Sequence, residues 1–185
     1  MIVLRDLRPQ DSSMVHEWRN RPSVSRFMYT DHRIERDEHD RWFAAIRESP
    51  SVKYWIIERD DTPVGVANLA NIDRRQKRCS WAFYLADAEA TPGVGTPTEY
   101  GVLTHVFDTM GFDKLCCEVL DFNARVVSLH EKFGFKQEGR LRQHVRKGAG
   151  RVDVIVLGLL KAEWEVFRES PLARRLVGGV TVAAS

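Results

Sequence analysis

The chain has 185 residues, 43% of them hydrophobic, and its 28 basic and 26 acidic side chains leave a net charge of +2. That length and apolar content exclude a disordered chain, and so balanced a charge gives no footing for nucleic-acid binding. Three cysteines, Cys79, Cys116 and Cys117, fit neither a disulfide framework nor zinc spacing, so the sequence points to a reduced, cytoplasmic compartment.

Ile2 to Leu7 reads as a first strand that Pro9 ends. Asp11 or Ser12 then caps a helix carrying Met14, Val15 and Trp18. It runs into Trp18-Arg19-Asn20-Arg21-Pro22, where the proline disfavours further helix. Arg19 there is either a planar fork for a phosphate or carboxylate, or a solvated helix-end cation. Glu35 to Glu48 forms the next helix, with His39, Trp42, Phe43 and Ile46 on one face. His39 is either a hydrogen-bonded core residue or a ligand-binding one. Lys53 to Arg59 and Val64 to Ile72 read as paired strands around the turn Asp60-Asp61-Thr62-Pro63. The charged run from Asp73 to Arg78 lacks interleaved aromatics, so it is a solvated hairpin tip rather than a nucleic-acid patch.

The organising stretch is Ser80 to Met110. Ser80 to Leu85 alternates in strand fashion, and Pro92, Gly93 and Gly95 break the pattern. Thr96 reads as an N-cap, Pro97 as the first helical residue and Glu99 as the acid of a capping box. Val102, Leu103, Val106, Phe107 and Met110 follow at helical spacing. A glycine loop opening a helix presents free N–H groups and a positive dipole end, which suits a phosphate; it also serves as an ordinary turn. Lys114 to Leu120 is an apolar strand interrupted by Glu118, an acid that is either solvated or poised as a base. Asn123 caps a helix over Ala124 to Lys132, which Gly134 stops. Phe135 to Arg146 and Val152 to Leu160 form a last strand pair around Gly148-Ala149-Gly150, and beyond Trp164 a tail follows, flexible from Leu176 onward. The opening residues lack the apolar core of a signal peptide, and no apolar run is long enough to span a bilayer. Strands clustered around isolated helices indicate a mixed α+β sheet.

These pieces resemble the GNAT superfamily of acetyl-CoA-dependent N-acetyltransferases from about Ile2 to Trp164. Ala90-Thr91-Pro92-Gly93-Val94-Gly95 stands where that family has Q/R-x-x-G-x-G/A, keeping both glycines and losing the leading side chain. NARVVSLHEKFGF, from Asn123 to Phe135, is similar to N-x-x-A/S-x-x-L-Y-x-x-x-G-F, with His130 at the tyrosine position. The resemblance implies a mostly antiparallel sheet of about seven strands flanked by helices, with a splayed central strand pair forming the acetyl-CoA cleft. It implies one domain over residues 1–166 and a tail over 167–185. It also implies acetyl-CoA as cosubstrate and no metal. The pyrophosphate falls over Gly93, Val94, Gly95 and Thr96, the pantetheine arm along Tyr84 and Leu85, and Asn123 joins the cofactor contacts.

The front stretch WRNRPSVSRFMYTDHRIERDEH is similar to the pseudaminic-acid-pathway branch of that superfamily. Those enzymes acetylate the 4-amino group of a UDP-linked 4-amino-4,6-dideoxy sugar, in the service of flagellin glycosylation. That similarity implies Arg19, Asn20, Met28, His39 and Tyr84 as substrate contacts. Nucleic acid and membrane are not among the implied partners, and a homodimer is allowed. The C-terminal stretch EGRLRQHVRKGAGRVDVIVLGLLKAEW resembles both this branch and relatives that acetylate ribosomal-protein N-termini, so a protein acceptor stays open. So does a non-catalytic acetyl-CoA-binding role. An amine needs a base and a departing thiolate needs a proton donor. Glu118 is the expected base and His130 the expected acid, with Tyr84 in reserve.

Overall fold

The computed structural model describes residues 1–183. An eight-stranded sheet runs through the molecule in the order β6-β7-β5-β4-β3-β2-β1-β8. Strand β1 is Ile2–Asp6, β2 Lys53–Arg59, β3 Thr62–Asp73 and β4 Arg78–Leu85. Strand β5 is Lys114–Leu120, β6 Lys136–Lys147, β7 Gly150–Leu160 and β8 Val180–Val182. Neighbours are antiparallel except β4–β5 and β1–β8. The tight β2–β3 connection uses Asp60 and Asp61 at positive φ, a conformation short acidic side chains tolerate.

Helices α1 (Ser12–Asn20), α2 (Pro22–Ser25) and α3 (Arg36–Glu48) fill the connection from β1 to β2. Helix α4 (Gly95–Thr104) continues as a π-helical turn to Thr109, and α5 (Ala124–Lys132) links β5 to β6. Helices α6 (Lys161–Phe167) and α7 (Pro171–Leu176) follow β7. The main core lies between the sheet and α4, where Trp55, Trp81, Trp164 and Phe107 are fully buried. Val15, Trp18, Ile56 and Val66 form a smaller core under α1.

Arg5 ties the opening segment together. Its guanidinium bonds both oxygens of Asp11, at 2.7 and 2.9 Å, and Glu58 at 2.5 Å. Burial raises the Asp11 pKa, but the bonds from Arg5 and the Arg8 N–H outweigh it and hold the carboxyl below its ordinary value.

Two expectations need correction. The tail from residue 167 is not loose over its described length: α7 packs down and β8 pairs in parallel with β1. The strand count therefore rises to eight. Small size lets this docking happen, because Gly101 of α4 sits directly under Val180, whose Cγ2 lies 2.7 Å from where a Cβ would be. Residues 184 and 185 of that tail lie outside the described residues. The second correction is the start of α4. Thr96 is not the N-cap: the helix starts at Gly95, with Val94 at the cap position in helical dihedrals. Val94 is 1% exposed, so its burial draws the loop into the core and begins the helix early. No helix among the described residues is long and apolar enough to cross a membrane.

Candidate active site

The site begins where β4 and β5 separate. They pair in parallel only from Arg78↔Lys114 to Ser80↔Cys116. Beyond that, β4 stays on β3 as far as Leu85 and β5 stays on β7 as far as Leu120. Trp81–Leu85 and Cys117–Leu120 therefore face an opening with unpaired backbone edges. Such edges need hydrogen-bond partners, and an amide-bearing arm laid between them supplies these. The cleft there has a volume of about 1360 Å³ and is lined from α1, β4, β5, α5 and the loops before α3 and α4.

The glycine loop and α4 close one side. Gly93 has φ +83, a conformation that favours glycine. At Gly95 an added Cβ meets Leu129 at 3.4 Å and Phe83 at 3.5 Å, so α4, α5 and β4 converge on this turn. The first N–H groups of α4 have no intrahelical acceptor. Arg125 and Lys132 of α5 also line the cleft and have no carboxylate partner among the described residues. Asn123 stands at the start of α5, but its side chain makes no capping bond, contrary to expectation. Its backbone carbonyl accepts from Val126 and Val127 instead, leaving the carboxamide among the groups that line the cleft. Free amides, a dipole end and two cations at one wall fit a phosphate-bearing arm.

The loop over residues 26–35 lies on the other side. Asn20 fastens its end: its Oδ1 accepts from the Ile34 N–H at 2.8 Å, and its Nδ2 donates to the carbonyls of Ile34 at 3.0 Å and His16 at 3.2 Å. The Asn20 amide is thereby engaged by the loop it fastens. Lys147 donates to the carbonyls of Ser25 and Thr30, and Asp31 accepts from the Gly148 N–H. Phe27 stacks on Phe122 at 5.9 Å. Met28 lines the cleft from this loop. Arg19 is half-buried, with its guanidinium 5.9 Å from the Tyr84 ring centre and a long 3.4 Å bond to the Thr30 hydroxyl. It has no ion pair among the described residues.

His39 touches the cleft wall but is 2% exposed, packed against His16, Trp42 and Phe43, with Nε2 3.1 Å from the Ser12 hydroxyl. Burial lowers its pKa, so it is a neutral core histidine at physiological pH. The Tyr84 hydroxyl is buried and has no hydrogen-bond partner among the described residues, and burial raises its pKa. It is an unused donor at the cleft.

Glu118 is the only exposed residue of β5. It accepts a short hydrogen bond from the Tyr29 hydroxyl, and burial followed by this bond pushes the Tyr29 pKa up. Tyr29 is a site residue the sequence reading missed, since nothing local marks a loop tyrosine as the partner of a strand acid 89 residues away.

His130 is 3% exposed and lines the cleft from α5. Its Nδ1 lies 2.9 Å from Glu99 Oε1. Glu99 is therefore not the capping-box acid the sequence suggests. The helix begins too early for that, and the side chain turns into the core, 0% exposed, towards α5. Trp81 packs edge-on to the imidazole at 5.2 Å. Among the described residues no three or more His, Cys, Asp or Glu side chains gather as a metal site.

This arrangement defines an acyltransfer site of the GNAT class. Residues 2–136 match the family described as Acetyltransferase (GNAT) domain, and the chain belongs to that family. It is 28% identical over 131 residues to "Acetyltransferase PseH" of Campylobacter jejuni, covering 70% of this chain and 80% of that one. It is 30% identical over 127 residues to the prophage-derived uncharacterized N-acetyltransferase YokL of Bacillus subtilis, covering 68% and 71%. Among solved structures, spermidine N-acetyltransferase from Vibrio cholerae in complex with CoA and spermine superposes with a TM-score of 0.82, at 18% identity over 89% of this chain and 98% of that one. The chain is an acetyl-CoA-dependent N-acetyltransferase with the expected mixed α+β fold.

Proposed function

We propose that this enzyme transfers acetyl from acetyl-CoA to the 4-amino group of a UDP-linked 4-amino-4,6-dideoxy sugar, in pseudaminic acid biosynthesis. The similarity to PseH and the front-half resemblance support this reading. The observation that carries it is electrostatic. Arg19 and Arg26, on the acceptor side, line the cleft without a carboxylate partner among the described residues. Unpaired cations attract a diphosphate. Of the acids that line the same cleft, Glu38 is engaged by His32 and Glu118 by Tyr29, and Asp87 and Glu89 stand in the loop before α4. This favours a nucleotide sugar over the spermidine of the structural neighbours.

Arg19 takes a phosphate of the acceptor. Its guanidinium lies 5.9 Å from the Tyr84 ring centre, within reach of the cleft. The sugar amine then lies towards β5, where Glu118 removes its proton directly or through one water as the nitrogen attacks the thioester carbon. The Tyr29 hydroxyl holds that carboxylate in place. His130 gives a proton to the departing sulfur. Positioning of the two substrates supplies most of the acceleration, and acid–base help adds about 10²–10⁴-fold.

A protein N-terminal acceptor is the second reading, favoured by 25% identity to the putative ribosomal N-acetyltransferase YdaF of Bacillus subtilis. Arg19→Ala separates the two. On the nucleotide-sugar reading it raises KM for the UDP-sugar about tenfold, the worth of one charged hydrogen bond, with KM for acetyl-CoA unmoved. Steady-state kinetics with each substrate varied checks this. Equal constants in variant and wild type make Arg19 a helix-end cation.

A further inference from the structure

Glu99 has no task in the scheme above, yet it is the most enclosed acid in the molecule. It sits on the second turn of α4, 0% exposed, with Oε1 on His130 Nδ1 and Oε2 without a partner among the described residues. A carboxylate kept dry with half its bonding capacity empty costs stability unless its partner makes use of it. Burial drives its pKa up and His130 pulls it back. The other carboxylate that acts on the neighbouring Cys117 thiol is Glu118 of the same strand, β5. Trp81 of β4 and Phe135 pack on the imidazole from two other sides. The Cys117 thiol of β5 is pushed well above its ordinary range by burial and then by Glu99, so it stays a thiol.

We infer that Glu99 is the positioning residue for His130: it holds Nδ1 from the core side and leaves Nε2 as the nitrogen that serves the cleft. This rests on His130 as the acid of the reaction. With one proton more than carboxylate and neutral imidazole, the pair is carboxylate with imidazolium or carboxylic acid with imidazole. In both arrangements a proton lies between Oε1 and Nδ1, and Nε2 keeps its own. Wherever the shared proton sits, Nε2–H is a donor. Loss of one proton leaves carboxylate, Nδ1–H and a bare Nε2, which cannot donate.

The cycle balances. Collapse of the tetrahedral adduct breaks the carbon–sulfur bond, and Nε2 passes its proton to the thiolate. The pair is then one proton short, with Nδ1–H still on Glu99. The attacking amine has released one proton through Glu118 to solvent, and the pair recovers one from solvent. This arrangement departs from a phenolic donor in a testable way, because a phenol needs no buried carboxylate to orient it.

The test uses the full chain with ¹⁵N-labelled histidine. In the wild type at alkaline pH, nitrogen shifts should show His130 as the Nδ1–H tautomer. In Glu99→Gln, which preserves shape, the neutral ring should become a tautomer mixture, and the alkaline limb of kcat should move to lower pH by about one unit. KM for acetyl-CoA should change less than about twofold. A purely structural Glu99 would leave the pH profile where it is. A wild-type ring with bare Nδ1 at alkaline pH overturns the inference, and needs no variant to fold. An Nδ1–H ring together with superimposable pH profiles also overturns it, by removing His130 as the acid. Failure of the acceptor assignment looks different: turnover on the UDP-sugar is absent while the tautomer result stands.

Discussion

His130 and Glu99 stabilise each other in a dry place, so changing either perturbs chemistry and folding together. His130→Phe keeps a ring and loses the donor. Turnover of the folded enzyme should fall about 10²-fold, with acetyl-CoA affinity nearly intact. The same change takes away the one partner Glu99 has among the described residues. Breaking a buried pair typically costs about 3–5 kcal/mol, a figure reduced here because Glu99 can take up a proton. A lowered melting temperature that Glu99→Leu partly restores, alongside the loss of kcat, is the expected result. Wild-type turnover in the folded Phe variant counts against the assignment. His130 was legible because a motif fixes its place on a helix. Glu99 was misread because threonine followed three residues later by glutamate also spells a capping box. Its neighbours Thr98, Gly101, Val102 and Leu103 are all buried. Glu99 falls on the same helix face as Val102, Leu103 and Val106, and an acid on a buried face needs an internal partner.

At the scale of elements, we place the cofactor in the opening between β4 and β5 and at the turn into α4. Gly95→Ala adds a methyl that sits 3.4 Å from Leu129, an ordinary contact, and should leave binding unchanged. Gly95→Asp places an anion at the start of α4 and should weaken acetyl-CoA binding about tenfold without unfolding. Calorimetry on the two variants checks this, and equal affinities contradict the placement of the pyrophosphate. Strand β5 and helix α5 were readable to the residue, since an apolar run and a glycine stop bound them. The clasped loop over residues 26–35 was not. It is held by Asn20, Lys147 and Asp31 across long sequence distances, and no local periodicity records such bonds. Strand β8 escaped for the same reason. Three residues carry no pattern, and its partner β1 lies at the far end of the chain.

Across the whole molecule, acid should act through groups buried in their neutral form. His39 and His105 both have lowered pKa values, each chiefly from burial. A folded-state pKa below the unfolded one gives stability that is present above the ordinary value near 6.5 and lost as pH falls through the folded value. Asp11, also lowered, adds a second loss below the carboxylate range. The melting temperature should therefore fall as pH drops from about 7.5 to about 5.5, and His39→Gln should flatten the slope. A flat wild-type profile contradicts it. The mixed sheet was within reach of the sequence because strands cluster around isolated helices, and the splay and the class of reaction came with the family resemblance that two short motifs carry. The acceptor side was less so, since its character comes from which charges fold without partners. The acceptor class is measured most directly by acetyl transfer from acetyl-CoA to three amines at equal concentration: a UDP-4-amino-4,6-dideoxy sugar, spermidine and a ribosomal-protein N-terminal peptide. kcat/KM for the nucleotide sugar should exceed the other two by at least about 10²-fold. Preference for the peptide or for spermidine would contradict it.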